Sequence, residues 1–164
     1  MGAKDTGTHL VQFATVDAAW LLQTSHPLAQ AITREVLGNP KIAKVGFGLD
    51  NDRSQLQGRL NVEMQNVLDL DRVFKRHGFG SSTGVRAAVA LVLGQSLRKS
   101  KRVTTSNWSN PRLTESQCRY AANDAHAPAA VFAQLGDWEA RQPPVPAHRP
   151  PRPRPAAPDV STRN

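Results

Sequence analysis

Tyr120 and Asp124 stand four residues apart in Leu113-Thr114-Glu115-Ser116-Gln117-Cys118-Arg119-Tyr120-Ala121-Ala122-Asn123-Asp124-Ala125. On a helix that spacing stacks a phenol and a carboxylate on one face, a single turn apart. The same stripe continues through Ala127, Val131 and Leu135, all apolar, so the pair is expected to turn toward the body of the protein. A carboxylate placed there requires a cation, a metal ion or a hydrogen-bond donor. Spacing alone leaves two readings open. Asp124 is a satisfied core acid with Tyr120 as its donor, which is ordinary in folded proteins, or it is the anchor of a metal or other cation.

Two further sets of residues could take part. In Val45-Gly46-Phe47-Gly48-Leu49-Asp50-Asn51-Asp52 a strand ends at glycines and an acid begins a helix. Aspartate caps helices well, so Asp50 and Asp52 read equally as caps or as site acids. Asp69, after another short strand, reads as structural. Lys99-Ser100-Lys101-Arg102 is a basic loop, able to meet phosphate or simply to lie in solvent.

The helix carrying Tyr120 and Asp124 has an explicit start. Thr114 can cap, Gln117 can reach back to complete a capping box, and Leu113 and Cys118 occupy the positions of a hydrophobic staple. Pro128 falls inside the helix and is expected to kink it. Upstream, Leu10 to Thr15 and Ala18 to Leu22 read as two strands around a turn at Val16-Asp17. A helix is predicted from about Pro27 to Leu37, burying Leu28, Ile32 and Val36 and stopping at Gly38-Asn39-Pro40. Lys41 to Gly48 reads as a strand, Asp50 to Leu60 as a helix burying Leu49, Leu56 and Leu60, and Val67 to Leu70 as a short strand. His77 to Gly84 is a glycine- and serine-rich loop, followed by a helix through Val85, Ala88, Val89, Val92 and Leu93 that Gly94 ends. Strand and helix alternate, which predicts an α/β layered domain. Gly46-x-Gly48 lacks the third glycine of a dinucleotide loop, since Asn51 stands there.

The chain has 164 residues, one cysteine and a net charge of +8. That length suits one ordinary domain, and a lone cysteine excludes an internal disulfide framework and a multi-cysteine zinc site. No apolar run is long enough for a membrane span and no leader is evident, so a soluble, non-secreted protein with no membrane partner is expected. Five arginines and one acid fall from Arg141 onward, leaving half of the charge on the body. A mildly basic body suits a polyanionic substrate. Eight of the twelve prolines lie between Pro143 and Pro158, a composition that cannot build a core. Residues 1–9 and 139–164 are therefore expected to be disordered ends around a domain at 10–138. The Pro/Arg-rich tail would suit an SH3-type partner or a weak nucleic-acid tether.

Trp108, Leu113, Gln117 and Tyr120-Ala121-Ala122-Asn123-Asp124-Ala125 resemble the third motif of the DEDD 3′–5′ exonucleases. The resemblance is to the tyrosine-bearing branch that includes ribonuclease D and the Werner-type exonuclease domains. Ser106-Asn107-Trp108-Ser109 resembles the serine-x-tryptophan element that precedes this motif, and Val45 to Asp52 resembles the second motif, with Asp52 as its acid. The resemblance covers Leu10 to about Leu135. It implies a ribonuclease-H-like α/β fold, hydrolysis of phosphodiesters from a single-stranded DNA or RNA 3′ end, and two Mg²⁺ or Mn²⁺ ions. Asp124 and Asp52 would serve as metal ligands, Tyr120 would orient the attacking water, and Lys99, Lys101 and Arg102 would meet the nucleic-acid backbone. The lone cysteine and the lack of an evident leader lead us to expect an intracellular location, cytoplasmic or, in a nucleated cell, nuclear.

The family's first motif, an Asp-x-Glu on the central strand, has no counterpart before Leu10, because Asp5 is followed by Thr6 and Gly7. The expected fold thus lacks its first central strand, and the chain reads as N-terminally truncated. Unpaired strand edges at Leu10–Thr15 and Ile42–Phe47 should follow. A rival from a different class is a catalytically inactive nucleic-acid-binding or scaffold protein that keeps the fold. Metal-dependent cutting separates the two.

Overall fold

Two mostly apolar runs and a tight turn make the first hairpin. β1 (Leu10–Ala14) pairs antiparallel with β2 (Ala19–Gln23), in a register that sets Gln12 opposite Leu21. Thr15 N–H donates to Ala18 O at 2.9 Å to close the turn. The structure, a computed structural model, describes residues 8–80 and 83–142. The expectations for residues 1–7 and for the tail from Pro143 onward lie outside the described residues.

α1 (Pro27–Gly38) follows, with proline in its first turn, where the missing N–H costs nothing. Its buried stripe differs from the one expected. Ala29, Thr33 and Leu37 are buried, while Leu28 is 64 % and Ile32 38 % exposed. Small side chains occupy the buried positions, and the Thr33 hydroxyl, otherwise orphaned there, donates to Ala29 O at 2.7 Å. Leu37 is the large anchor, joining Val11, Leu56, Leu60, Val62 and Met64 in one of two cores.

β3 (Lys44–Gly46) is shorter than predicted and pairs parallel with β4 (Val67–Asp69). Between them runs α2 (Leu49–Leu60), which buries Leu56 and Leu60 as expected, with Leu49 half-buried. Leu49 folds back over Gly46, where an added Cβ would meet its Cδ2 at 2.7 Å. Gly48, the N-cap of α2, has φ +65°, a conformation that favours glycine. These two demands explain the Gly46-x-Gly48 pattern without a nucleotide loop.

Leu70 opens α3 (Leu70–Arg76), a helix not foreseen from the sequence, instead of ending the strand. α4 (Gly84–Leu93) ends at Gly94 with φ +63°, as the helix-stop reading requires. α5 (Lys101–Thr104) is a single turn capped by Ser100, so Lys101 and Arg102 lie on a helix where a loop was expected. The last element, α6 (Glu115–Ala140), begins with the expected capping box between Thr114 and Gln117 and continues through buried Pro128 without interruption. The proline withholds the N–H that would reach the carbonyl of Asp124.

Leu70, Val73 and Phe74 of α3, Ala88, Val89 and Val92 of α4, and Ala127, Val131, Leu135 and Trp138 of α6 form the second core. Phe74 and Trp138 rings lie 5.0 Å apart at its centre. The two sheets stay separate, and among the described residues no strand pairs with the second edge of β1 or of β3. α6 packs against β1, β2 and β3 and so bridges both sheets. His126 Nε2 lies 3.0 Å from Val16 O, tying the helix to the β1–β2 turn. No described helix is long and apolar enough to cross a membrane.

Candidate active site

The first turns of α6 are held by one residue. Gln117 is 4 % exposed and uses its whole amide. Its Oε1 accepts from Thr114 N–H at 2.9 Å and lies 3.2 Å from the Thr114 hydroxyl. Its Nε2 donates to Ser106 Oγ and to Asn107 O, both at 3.0 Å. The capping glutamine therefore also clamps the Ser106-Asn107-Trp108 segment onto the helix. Gln23 Nε2 donates to Asn110 O at 2.7 Å, which fixes the same segment to β2.

That clamp delivers Trp108 to Tyr120. Their ring centroids lie 6.0 Å apart with planes inclined 51°, and the Trp108 indole N–H donates to Thr104 O at 3.2 Å. Tyr120 Oη and Thr104 Oγ1 are hydrogen-bonded at 2.9 Å. One turn further along α6, Asp124 Oδ1 is paired with Lys99 Nζ. Their side chains are 24 % and 31 % exposed, so the pair is only partly screened from water. His9 and, from β1, Leu10 and Gln12 join Thr104, Trp108, Tyr120 and Asp124 around a cleft of about 340 Å³.

The candidate residues divide. Tyr120 and Asp124 share the cleft wall, and Lys99 reaches Asp124. Asp52 sits on the exposed first turn of α2 and is not among the residues lining the cleft. Although its outer edge meets solvent, the surrounding protein strips enough water from its carboxyl to raise its pKa above the ordinary aspartate value. Lys101 and Arg102 are exposed on α5. Asp50 caps nothing through its side chain and faces Arg72 at 3.9 Å across solvent.

Asp69 takes the structural role. Its Oδ1 accepts from Gly48 N–H at 3.2 Å and Asp71 N–H at 3.0 Å, and its Oδ2 from Leu49 N–H at 3.1 Å. One carboxylate thus caps α3 and holds the start of α2, the turn that carries Asp52. Thr104 was not anticipated. Its four-residue spacing from Ser100 was the available sign, but the basic run disguised a helical turn as a loop.

A family model described as 3′–5′ exonuclease matches residues 3–138. The chain belongs to the 3′–5′ exonuclease family. Mouse WRN, a bifunctional 3′–5′ exonuclease/ATP-dependent helicase, is 34 % identical over 103 residues, which is 62 % of this chain and 7 % of WRN. Among solved structures, the catalytic core of Trypanosoma brucei RRP6 superimposes with a TM-score of 0.69 at 20 % identity, covering 82 % of this chain and 37 % of that one. Escherichia coli RNase D, an exoribonuclease involved in structured RNA processing, gives a TM-score of 0.61 at 23 % identity, covering 80 % and 35 %. At these identities the structural likeness is one of fold. The chain spans well under half of each of these proteins. The expected membership of the 3′–5′ exonucleases and the α/β exonuclease fold are both met.

Hard carboxylate oxygens at Asp124 and Asp52 have the chemistry that Mg²⁺ or Mn²⁺ prefers. Among the described residues, however, no group of three or more His, Cys, Asp or Glu side chains is placed to hold a metal ion. The cation that Asp124 meets in the structure is Lys99.

Proposed function

We propose that this chain hydrolyses nucleotides from the 3′ end of single-stranded nucleic acid, with Tyr120, Asp124 and Asp52 as the working residues. One observation carries the reading. Tyr120 and Asp124 of an exonuclease-family helix open together into a cleft, with Trp108 and Thr104 supporting the phenol. A divalent ion held by Asp124 would lower the pKa of the attacking water and screen the phosphate charge, and Asp52, which does not line the cleft, would act on a metal ion through water.

The chain's own groups do the rest. Tyr120 presents its hydroxyl to the cleft one turn before Asp124, where it can orient a water molecule. Trp108 offers an aromatic face beside it on which a terminal base can stack. Lys99 holds the Asp124 carboxylate ready while no other cation is present, then swings to a phosphate oxygen. Lys101 and Arg102, exposed on α5, continue that cationic path along the backbone of the strand.

The test uses the full chain with a 5′-labelled single-stranded DNA or RNA and Mn²⁺. A ladder shortening from the 3′ end is expected, abolished by chelator and by Asp124→Ala. Binding without any cutting, with affinity falling steeply in salt, would overturn the enzymatic reading in favour of a nucleic-acid binder.

A further inference from the structure

The Tyr120 hydroxyl is not free to point where it likes. Thr104 Oγ1 lies 2.9 Å from it and 3.0 Å from Ser100 O. The Ser100 carbonyl can only accept, whereas each of the two hydroxyls has one proton to give. Two arrangements follow. Either Thr104 donates to Tyr120 and leaves Ser100 O to backbone N–H groups alone, or Tyr120 donates to Thr104, which donates onward to Ser100.

Acidity favours the second. A phenol, with an ordinary pKa near 10, is the stronger donor, and an aliphatic hydroxyl is the better acceptor. Threonine on a helix also commonly gives its proton to the carbonyl four residues back. We infer that Thr104 is a positioning residue that takes the Tyr120 proton, so that the phenol presents only lone pairs to the cleft. Such a phenol accepts from a water molecule and cannot donate to a phosphate oxygen. The Trp108 indole, bonded to Thr104 O at 3.2 Å and packed against the Tyr120 ring, keeps α5 and the phenol in step. The catalytic meaning of this relay rests on the proposed exonuclease reading. The proton direction does not.

Tyr120 is the sole tyrosine of the chain, so a tyrosine signal reports this site alone. The phenol C–O stretch, assigned by ¹³Cζ-tyrosine labelling, rises in frequency when the hydroxyl donates to a protein group and falls when it accepts from one. The full chain without metal or substrate should show the donor frequency, lose it in Thr104→Val and regain it in Thr104→Ser. An acceptor frequency in the native chain, or a band that Thr104→Val leaves in place, overturns the inference. Thr104 is exposed, and circular dichroism confirms that each variant is folded. In the degradation assay Thr104→Val should lower kcat about tenfold with KM unchanged, and Thr104→Ser should restore it. If the native chain cuts nothing, the exonuclease reading falls while the infrared band still decides the relay.

Discussion

Replacing Gln117 should cost more stability than its place in the first turn of a helix suggests. Its side chain makes four contacts, with Thr114 N–H, the Thr114 hydroxyl, Ser106 Oγ and Asn107 O. At about 1 kcal/mol net for each hydrogen bond the gross loss in Gln117→Ala is about 4 kcal/mol. Thr114 and Asn107 are exposed residues whose freed groups recover water, so the net loss should be about 2–3 kcal/mol. Gln117→Glu isolates the donor half of the clamp. It keeps an acceptor toward Thr114 but sets an oxygen against the Asn107 carbonyl and a charge in a site 4 % exposed.

That carboxyl would ionise only reluctantly, with a folded pKa above its unfolded value. The glutamate variant should therefore be most stable below the ordinary carboxylate pKa and lose stability as pH rises through the elevated one. Urea denaturation followed by tryptophan fluorescence at pH 5 and pH 7.5 measures both variants. A loss below about 0.5 kcal/mol for alanine, or a glutamate variant as stable as the native chain at pH 7.5, would refute the clamp.

Three other outcomes follow from the geometry. Lys99→Met removes the cation already seated on Asp124. The partly exposed pair is worth about 1 kcal/mol, so Mn²⁺ measured by calorimetry should bind about fivefold tighter; unchanged or weaker binding would contradict the pairing. Asp52 has its carboxyl pKa raised by desolvation, so its ionised form opposes folding. Asp52→Asn should therefore raise stability at neutral pH, with the gain fading as pH falls through the aspartate range and the native carboxyl takes up its proton. A gain independent of pH would point elsewhere. Asp69→Ala orphans three backbone N–H groups at the starts of α2 and α3. It should cost about 2 kcal/mol and speed hydrogen exchange at Gly48 and Leu49, and unchanged exchange there would exclude its role in holding α2.

The sequence was most legible where local chemistry decides conformation. The capping box at Thr114 and Gln117, the stop at Gly94, the β1–β2 turn and the buried stripe Ala127, Val131 and Leu135 all follow from neighbours within one turn. Tyr120 and Asp124 were legible for the same reason, since helical periodicity alone puts them on one face. The buried face of α1 was not, because Leu28 and Ile32 are the larger apolar residues while close packing selected Ala29 and Thr33. α3 was hidden behind β4, whose Asp69 ends the strand and caps the helix in one step. The Lys99–Asp124 pair and the Thr104–Tyr120 contact join α6 to the segment that ends in α5, 25 and 16 positions away. No local pattern announces contacts of that kind.

Asp124 is the residue on which the proposed activity depends most directly. The direct measurement is degradation of a 5′-labelled single strand by the full chain and by Asp124→Ala, side by side in Mn²⁺ and in chelator. The expected result is stepwise shortening from the 3′ end by the native chain in Mn²⁺ alone, and an intact strand with the variant. Shortening by Asp124→Ala at the native rate would contradict it.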